Sequence, residues 1–199
     1  GIGAKLIEVP LLDRLQGVSD PDGLDTIYAY DGQGDRTQLR SPDTGTSTDT
    51  YDAAGNRLTH TDAKGITSTS TYDALDRITS THYPDAAQDV TYAYDEDDAT
   101  TGCEGSRSVG RLTRIIEAGV TTTYCYDKRG HVVQKQQTTT AAGDAVTQYS
   151  YSLAGRLKNE LTPDQTLIVY ARDSDGRVRN VTVTPANASA TSVISHIVW

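Results

Sequence analysis

Two cysteines, four histidines and one dense run of acids are the residues of this chain whose chemistry could exceed packing. Cys103 and Cys125 lie within an irregular stretch and on a nearby strand. If that stretch folds back, they can bond, closing a loop of about two dozen residues and stabilising by about 3 kcal/mol in the chain-entropy picture. A bridge would point to an oxidising compartment; the other reading is two free thiols. A zinc site is disfavoured, because zinc takes a full tetrahedral ligand set and no histidine stands near the pair. His60, His82, His131 and His196 are scattered, and no two show the spacing of a ligand motif. Each reads as an ordinary strand or turn residue. Asp95-Glu96-Asp97-Asp98 is the densest acidic run, and Asp173-Ser174-Asp175-Gly176 faintly resembles the start of a calcium loop. Calcium needs roughly six to eight oxygens, and neither stretch supplies the rest. No nucleophile stands with a base and no glycine loop is built for phosphate, so neither an enzyme nor a cofactor is expected.

What the chain repeats is a short phrase: tyrosine, aspartate, two variable residues, glycine or a substitute, then a basic residue. It reads Tyr30-Asp31-Gly32-Gln33-Gly34-Asp35-Arg36, Tyr51-Asp52-Ala53-Ala54-Gly55-Asn56-Arg57 and Tyr72-Asp73-Ala74-Leu75-Asp76-Arg77. Later copies are Tyr126-Asp127-Lys128-Arg129-Gly130, Tyr151-Ser152-Leu153-Ala154-Gly155-Arg156 and Arg172-Asp173-Ser174-Asp175-Gly176-Arg177. Tyr30, Tyr51 and Tyr72 are 21 residues apart, as are Tyr151 and Arg172. A fixed period of this size signals a repeat architecture in which each unit leans on its neighbours.

One unit can be read from Ile66 to Thr81. Ile66, Ser68, Ser70 and Tyr72 fall on one face of a strand and the threonines on the other. Asp73 to Asp76 turns the chain, and Arg77-Ile78-Thr79-Ser80-Thr81 runs back. Gly ends this turn in most copies, which suits a left-handed position; Asp76 tolerates it less well. Second turns close the units at Pro42-Asp43-Thr44-Gly45, Asp62-Ala63-Lys64-Gly65, Glu117-Ala118-Gly119, Ala142-Gly143-Asp144 and Pro163-Asp164-Gln165. Two strands and two turns per unit make a hairpin stacked on a hairpin. Apart from the short Leu6 to Leu15 stretch, no segment shows a helical period. The fold class is all-β, and the interval from Asp95 to Gly110 is an enlarged loop grafted onto one hairpin.

Composition agrees with that reading. Hydrophobic residues make up 36% of the chain, Phe and Met are absent, and twelve tyrosines supply nearly all the aromatic surface. Tyr carries a hydroxyl that wants a partner, and Thr favours strands, so the sheet should be half-wet rather than oily. A net charge of −9 offers no basic stripe for phosphates, so nucleic acid is not an expected partner. No apolar run is long enough to span a membrane as a helix. The opening Gly1-Ile2-Gly3-Ala4-Lys5-Leu6 lacks a full signal-peptide pattern, and the chain reads as a piece of a longer protein. Tyr recurs at alternate positions (Tyr28 and Tyr30, Tyr92 and Tyr94, Tyr124 and Tyr126, Tyr149 and Tyr151), which sets ring pairs on one face. They serve either as cross-strand packing or as platforms for a sugar. Asn180-Val181-Thr182 and Asn187-Ala188-Ser189 are glycosylation sequons, a pattern of little specificity.

The phrases YDAAGNRLT, YDALDRIT and YDKRGHVV, with GRLTRIIEAGVTTTYCYD, resemble the YD repeats of the bacterial RHS family, related to those of Tc toxin BC components and teneurins. The resemblance covers Asp20 to Val183. It implies stacked hairpins forming a curved sheet, a segment of a hollow β-shell that encloses or presents a C-terminal toxin. It also implies partners: the rest of the shell and its toxin cargo, in a secreted or cell-surface bacterial protein. Asp20-Pro21-Asp22-Gly23-Leu24 matches the letters of a family self-cleavage motif, but it precedes the repeats and reads as a turn. The expected organisation is a lead-in over 1–19, the repeat array over 20–183 with its enlarged loop at 95–110, and the start of a further repeat over 184–199.

The function expected is therefore structural. The alternative is an extracellular carbohydrate-binding or cell-surface-binding module, adhesive or fibre-forming. Open strand edges would give either one a route to self-association. The residues expected to matter are the turn residues quoted above, and Gly55, Gly130, Gly155 and Gly176 most, since a Cβ at a positive-φ turn costs roughly 1–2 kcal/mol.

Overall fold

The computed structural model describes residues 5–6 and 14–195. Most of the Leu6 to Leu15 stretch, and His196 with the last residues, lie outside them. The described chain is almost entirely antiparallel strand, in two compact units, residues 1–91 and 92–199.

The first unit runs β1 (Lys5–Leu6), β2 (Gly17–Ser19), β3 (Asp25–Tyr30), β4 (Arg36–Ser41), β5 (Gly45–Tyr51), β6 (Arg57–Thr61), β7 (Thr67–Tyr72), β8 (Ile78–His82) and the first residues of β9 (Val90–Tyr94). Each strand pairs with the next. The second unit continues with a one-turn helix α1 (Asp98–Thr101), then β10 (Leu112–Glu117), β11 (Val120–Tyr126), β12 (Val132–Thr139), β13 (Gly143–Tyr151), β14 (Leu157–Leu161), β15 (Leu167–Arg172), β16 (Val178–Thr184) and β17 (Thr191–Ser195). From β10 onward each strand again pairs with its successor.

The register repeats with the sequence. Tyr30 pairs with Arg36, Tyr51 with Arg57, Tyr72 with Ile78, Tyr126 with Val132, Tyr151 with Leu157 and Arg172 with Val178. A register shift falls immediately before the tyrosine, or Arg172, in all six hairpins. A bulge at this place kinks the strand and re-aims the side chain that follows it.

Among the described residues the buried apolar side chains are Cys103 and Cys125 alone, while the buried polar ones include Asp49, Ser80, Ser108, Thr113, Thr122 and Thr123. Backbone ladders and polar side chains hold this sheet where most domains rely on an oily centre. Rows of hydroxyls link adjacent strands, as in Thr50–Thr59 at 2.6 Å, Thr61–Thr67 at 2.8 Å and Thr71–Thr79 at 2.7 Å.

Candidate functional site

The repeated phrase builds one turn. The Asp31 carboxylate Oδ1 accepts backbone N–H bonds from Gln33, Gly34 and Asp35 at 3.0, 2.7 and 2.9 Å. The Asp31 N–H donates to the Asp35 carbonyl at 3.0 Å, closing the loop. Asp52, Asp73, Asp127 and Asp173 accept in the same way from the residue four positions on. Ser152 fills the same role with a hydroxyl, at 3.2 Å from the Arg156 N–H. The opposite turns use the same device: Asp20 accepts from Asp22 and Leu24, and Asp62 from Lys64 and Ile66. Asp20-Pro21-Asp22-Gly23-Leu24 is thus one of the turns.

These bonds favour the charged carboxylate. Asp31 is held below the usual carboxylate range chiefly by the Asp35 N–H, and Asp52 by the Asn56 side chain and backbone. The Asp127 carboxyl is pulled down to about 2, first by its bond to the His131 ring.

The hydroxyl of each tyrosine that opens a copy of the phrase reaches back along the chain to an earlier carbonyl. Tyr30 donates to the Leu15 carbonyl at 2.9 Å, Tyr51 to Arg36 at 3.0 Å and Tyr72 to Arg57 at 2.9 Å. Tyr126 donates to Leu112 at 2.6 Å and Tyr151 to Val132 at 2.9 Å. Burial pushes the phenols of Tyr51, Tyr126 and Tyr151 up, which keeps the donated proton in place. Where the sequence has Arg172, its guanidinium Nη2 donates to the Leu157 carbonyl at 3.3 Å. The substitution preserves the tie and changes the donor.

A second ladder runs through the residue after the turn glycine, a place that Arg14 holds after an aspartate, Asp13, in place of glycine. The side chain of Arg14 lies over Gly34, that of Arg111 over Gly130, His131 over Gly155 and Arg156 over Gly176. In the copy with Asp76 in place of glycine, Asn56 Nδ2 donates to its carboxylate at 2.8 Å. The same post-glycine side chains also cover the next tyrosine ring. His131 stacks on Tyr151 at 4.6 Å, and Arg14 and Arg111 sit 5.6 Å over Tyr30 and Tyr126.

The basic residues of the phrase divide between two jobs. Arg77 and Arg177 pair with the aspartate of their own turn, Asp73 at 2.7 Å and Asp173 at 3.2 Å. Arg36 and Arg57, one position later, converge on Asp49 at 3.7 and 3.4 Å, where His60 Nδ1 also lies at 2.7 Å. The Asp49 side chain is fully enclosed. Sequence reasoning missed this cluster; its signal was an acid inside a strand otherwise made of Gly, Ser, Thr and Tyr.

The other candidates have local roles. His82 pairs with Asp89 at 2.8 Å and His131 with Asp127 at 2.9 Å. The acidic run is divided: Asp95 accepts from the Gly110 N–H, Glu96 grips Arg114 and Thr113, Asp97 caps α1 through Thr100, and Asp98 accepts from the Gly105 N–H. Cys103 and Cys125 form a disulfide with Cα atoms 5.4 Å apart, pinning the enlarged loop to β11.

The RHS Repeat family model matches residues 12–46 and 51–88. No curated protein matches the chain in sequence. Among solved structures the fold is similar to the crystal structure of TcdB2–TccC3–Cdc42, with a TM-score of 0.77 at 15% identity over 96% of this chain. It is also similar to the Photorhabdus luminescens Tc holotoxin pore, with a TM-score of 0.74 at 14% identity over 96% of the chain. The chain spans 11% of the length of each of those two chains. The hairpins after residue 88 carry the same turn as those the RHS Repeat model matches over residues 12–46 and 51–88.

Proposed function

We propose that this repeat module is non-catalytic wall: part of a β-shell that encloses or presents a C-terminal toxin or effector. The observation that carries this reading is the use of the recurring polar side chains. Tyrosine, aspartate and the post-glycine residue are each committed to a turn or to the neighbouring hairpin, which leaves them no free chemistry. The turn residues, from Tyr30 and Asp31 to Gly176 and Arg177, are in this account structural. The array over 20–183 is the wall and the loop at 95–110 an insertion on it. The rest of the shell and its cargo are the partners. A disulfide suits a secreted or cell-surface setting.

The test is the mass of the polypeptide purified from its native source. A product several times larger than 199 residues, with a separate C-terminal peptide bound, is expected. A native product of this length, stable and alone, contradicts the reading.

A further inference from the structure

The turn between β8 and β9 is longer than the Asp62 turn, which closes on Ile66. It runs from Tyr83 to Asp89 through a short 3-10 turn at Ala86–Gln88. The extra length carries Asp89 back to the end of β8. There its Oδ1 accepts the Tyr83 N–H at 2.8 Å, and its Oδ2 lies 2.8 Å from Nδ1 of His82. The other nitrogen of that ring, Nε2, lies 3.0 Å from the Ser80 hydroxyl. Serine, histidine and aspartate are thus joined in series through the two nitrogens of one imidazole.

The direction of these bonds follows from the acid end. A carboxylate only accepts, so Nδ1 donates its proton to Asp89. That bond is the first cause holding the Asp89 carboxyl below the ordinary carboxylate range. In the neutral ring Nε2 is then the acceptor, and Ser80 donates to it. Ser80 Oγ in turn accepts from the Thr71 hydroxyl at 2.6 Å, and Thr71 accepts from Thr79 at 2.7 Å. Each bond in such a chain polarises the next. A hydroxyl in reach of a base, with an acid orienting that base, is the arrangement that activates a nucleophile.

The site faces solvent. Strand register sets Thr71 and Thr91 on either side of Ser80, and both are exposed. The His82 side chain is 53% exposed. Ser80 itself is 9% exposed, recessed among these side chains. A recess of this kind fits a small acyl group.

We infer that Ser80 is a nucleophilic serine that takes a small acyl group, such as acetyl, from an activated ester. Ser80 Oγ attacks the ester carbonyl carbon, and its proton passes to His82 Nε2. The bond to the leaving alcohol then breaks, and that alcohol carries off the proton from Nε2. The products are acyl-Ser80, a free alcohol and a neutral imidazole. Asp89 is a positioning residue, which holds the ring in the tautomer that leaves Nε2 free. All three residues lie outside the repeated phrase. The proposal therefore goes beyond the wall reading and does not depend on it: it adds one reactive serine to a wall whose recurring side chains are structural.

The experiment treats the 199-residue chain with a fluorophosphonate, in which phosphorus stands for the carbonyl carbon and fluoride for the leaving alcohol. Peptide mapping by mass spectrometry should place the adduct on Ser80, formed at least tenfold faster than on any other hydroxyl. His82→Gln should slow it at least tenfold. That side chain is half exposed, so the variant keeps its fold, which its melting temperature checks. Release of p-nitrophenolate from p-nitrophenyl acetate should fall at least tenfold in Ser80→Ala. The nitrogen NMR shifts of the His82 ring should report the proton on Nδ1, and Asp89→Asn should abolish that preference. No adduct on Ser80, an unchanged rate in His82→Gln, equal p-nitrophenolate release by Ser80→Ala, or a ring without tautomer preference overturns the proposal.

Discussion

At the scale of the residue, the tyrosine hydroxyl and the aspartate carboxylate carry the repeat, and both make testable claims. Tyr51→Phe keeps the ring and removes only the bond to the Arg36 carbonyl. Burial of Tyr51 is partial, and a neutral hydrogen bond contributes on the order of 1 kcal/mol. Urea denaturation should therefore show a loss of about 0.5–1.5 kcal/mol, and no change would show that the hydroxyl tie is idle. The aspartates predict an acid limit. Asp31, Asp52, Asp127 and Asp173 all have carboxyls held below their ordinary 3.8. A group with a lowered folded-state pKa contributes its stability in full above the ordinary value, and that stability is lost as pH falls through the folded one. The denaturation midpoint should hold above about pH 4 and fall toward about 2, the value for Asp127. A midpoint flat across that interval would refute the role given to these carboxylates.

At the scale of the element, the hairpin was legible in the sequence because its determinants are local. A 21-residue spacing, a glycine at the turn and alternating Thr and Tyr suffice to place strands and turns. What links one hairpin to the next was less legible. The tyrosine bond to a carbonyl 15 residues earlier leaves no trace in its own strand, and Arg172 in a tyrosine slot looks like a lapse in the motif until its guanidinium is seen making the same tie. The phrase also treated Arg36 and Arg77 as equivalent, whereas one reaches Asp49 and the other its own turn. Contacts between turns decide the next prediction. Gly45 and Gly65 have nearly the same backbone, with φ of +80° and +79°, but a Cβ at Gly45 would lie 2.7 Å from the Ala63 Cβ and one at Gly65 would meet nothing. Gly65→Ala should cost roughly 1–2 kcal/mol from the backbone alone. Gly45→Ala should cost about 1 kcal/mol more, with that excess recovered in the double variant with Ala63→Gly. Equal costs would show that neighbouring turns do not press on one another.

At the scale of the whole molecule, stability comes from repetition of small polar ties in place of a deep core. The hairpins are secured to their predecessors by ladder bonds, by a phenol or the Arg172 guanidinium, and in several copies by a side chain laid over the next turn, so each unit behaves as a chain of nearest-neighbour interfaces. Such a construction makes surface without needing volume, which suits a wall. The enlarged loop, with its disulfide, is where the array departs from this rule. The claim that the array is a wall is tested most directly on the intact native polypeptide that contains this chain, treated with a broad-specificity protease across a urea series. The account predicts that the C-terminal segment resists digestion until the repeat array unfolds, then becomes cleavable over the same urea range. Digestion of that segment while the array is still folded would contradict it.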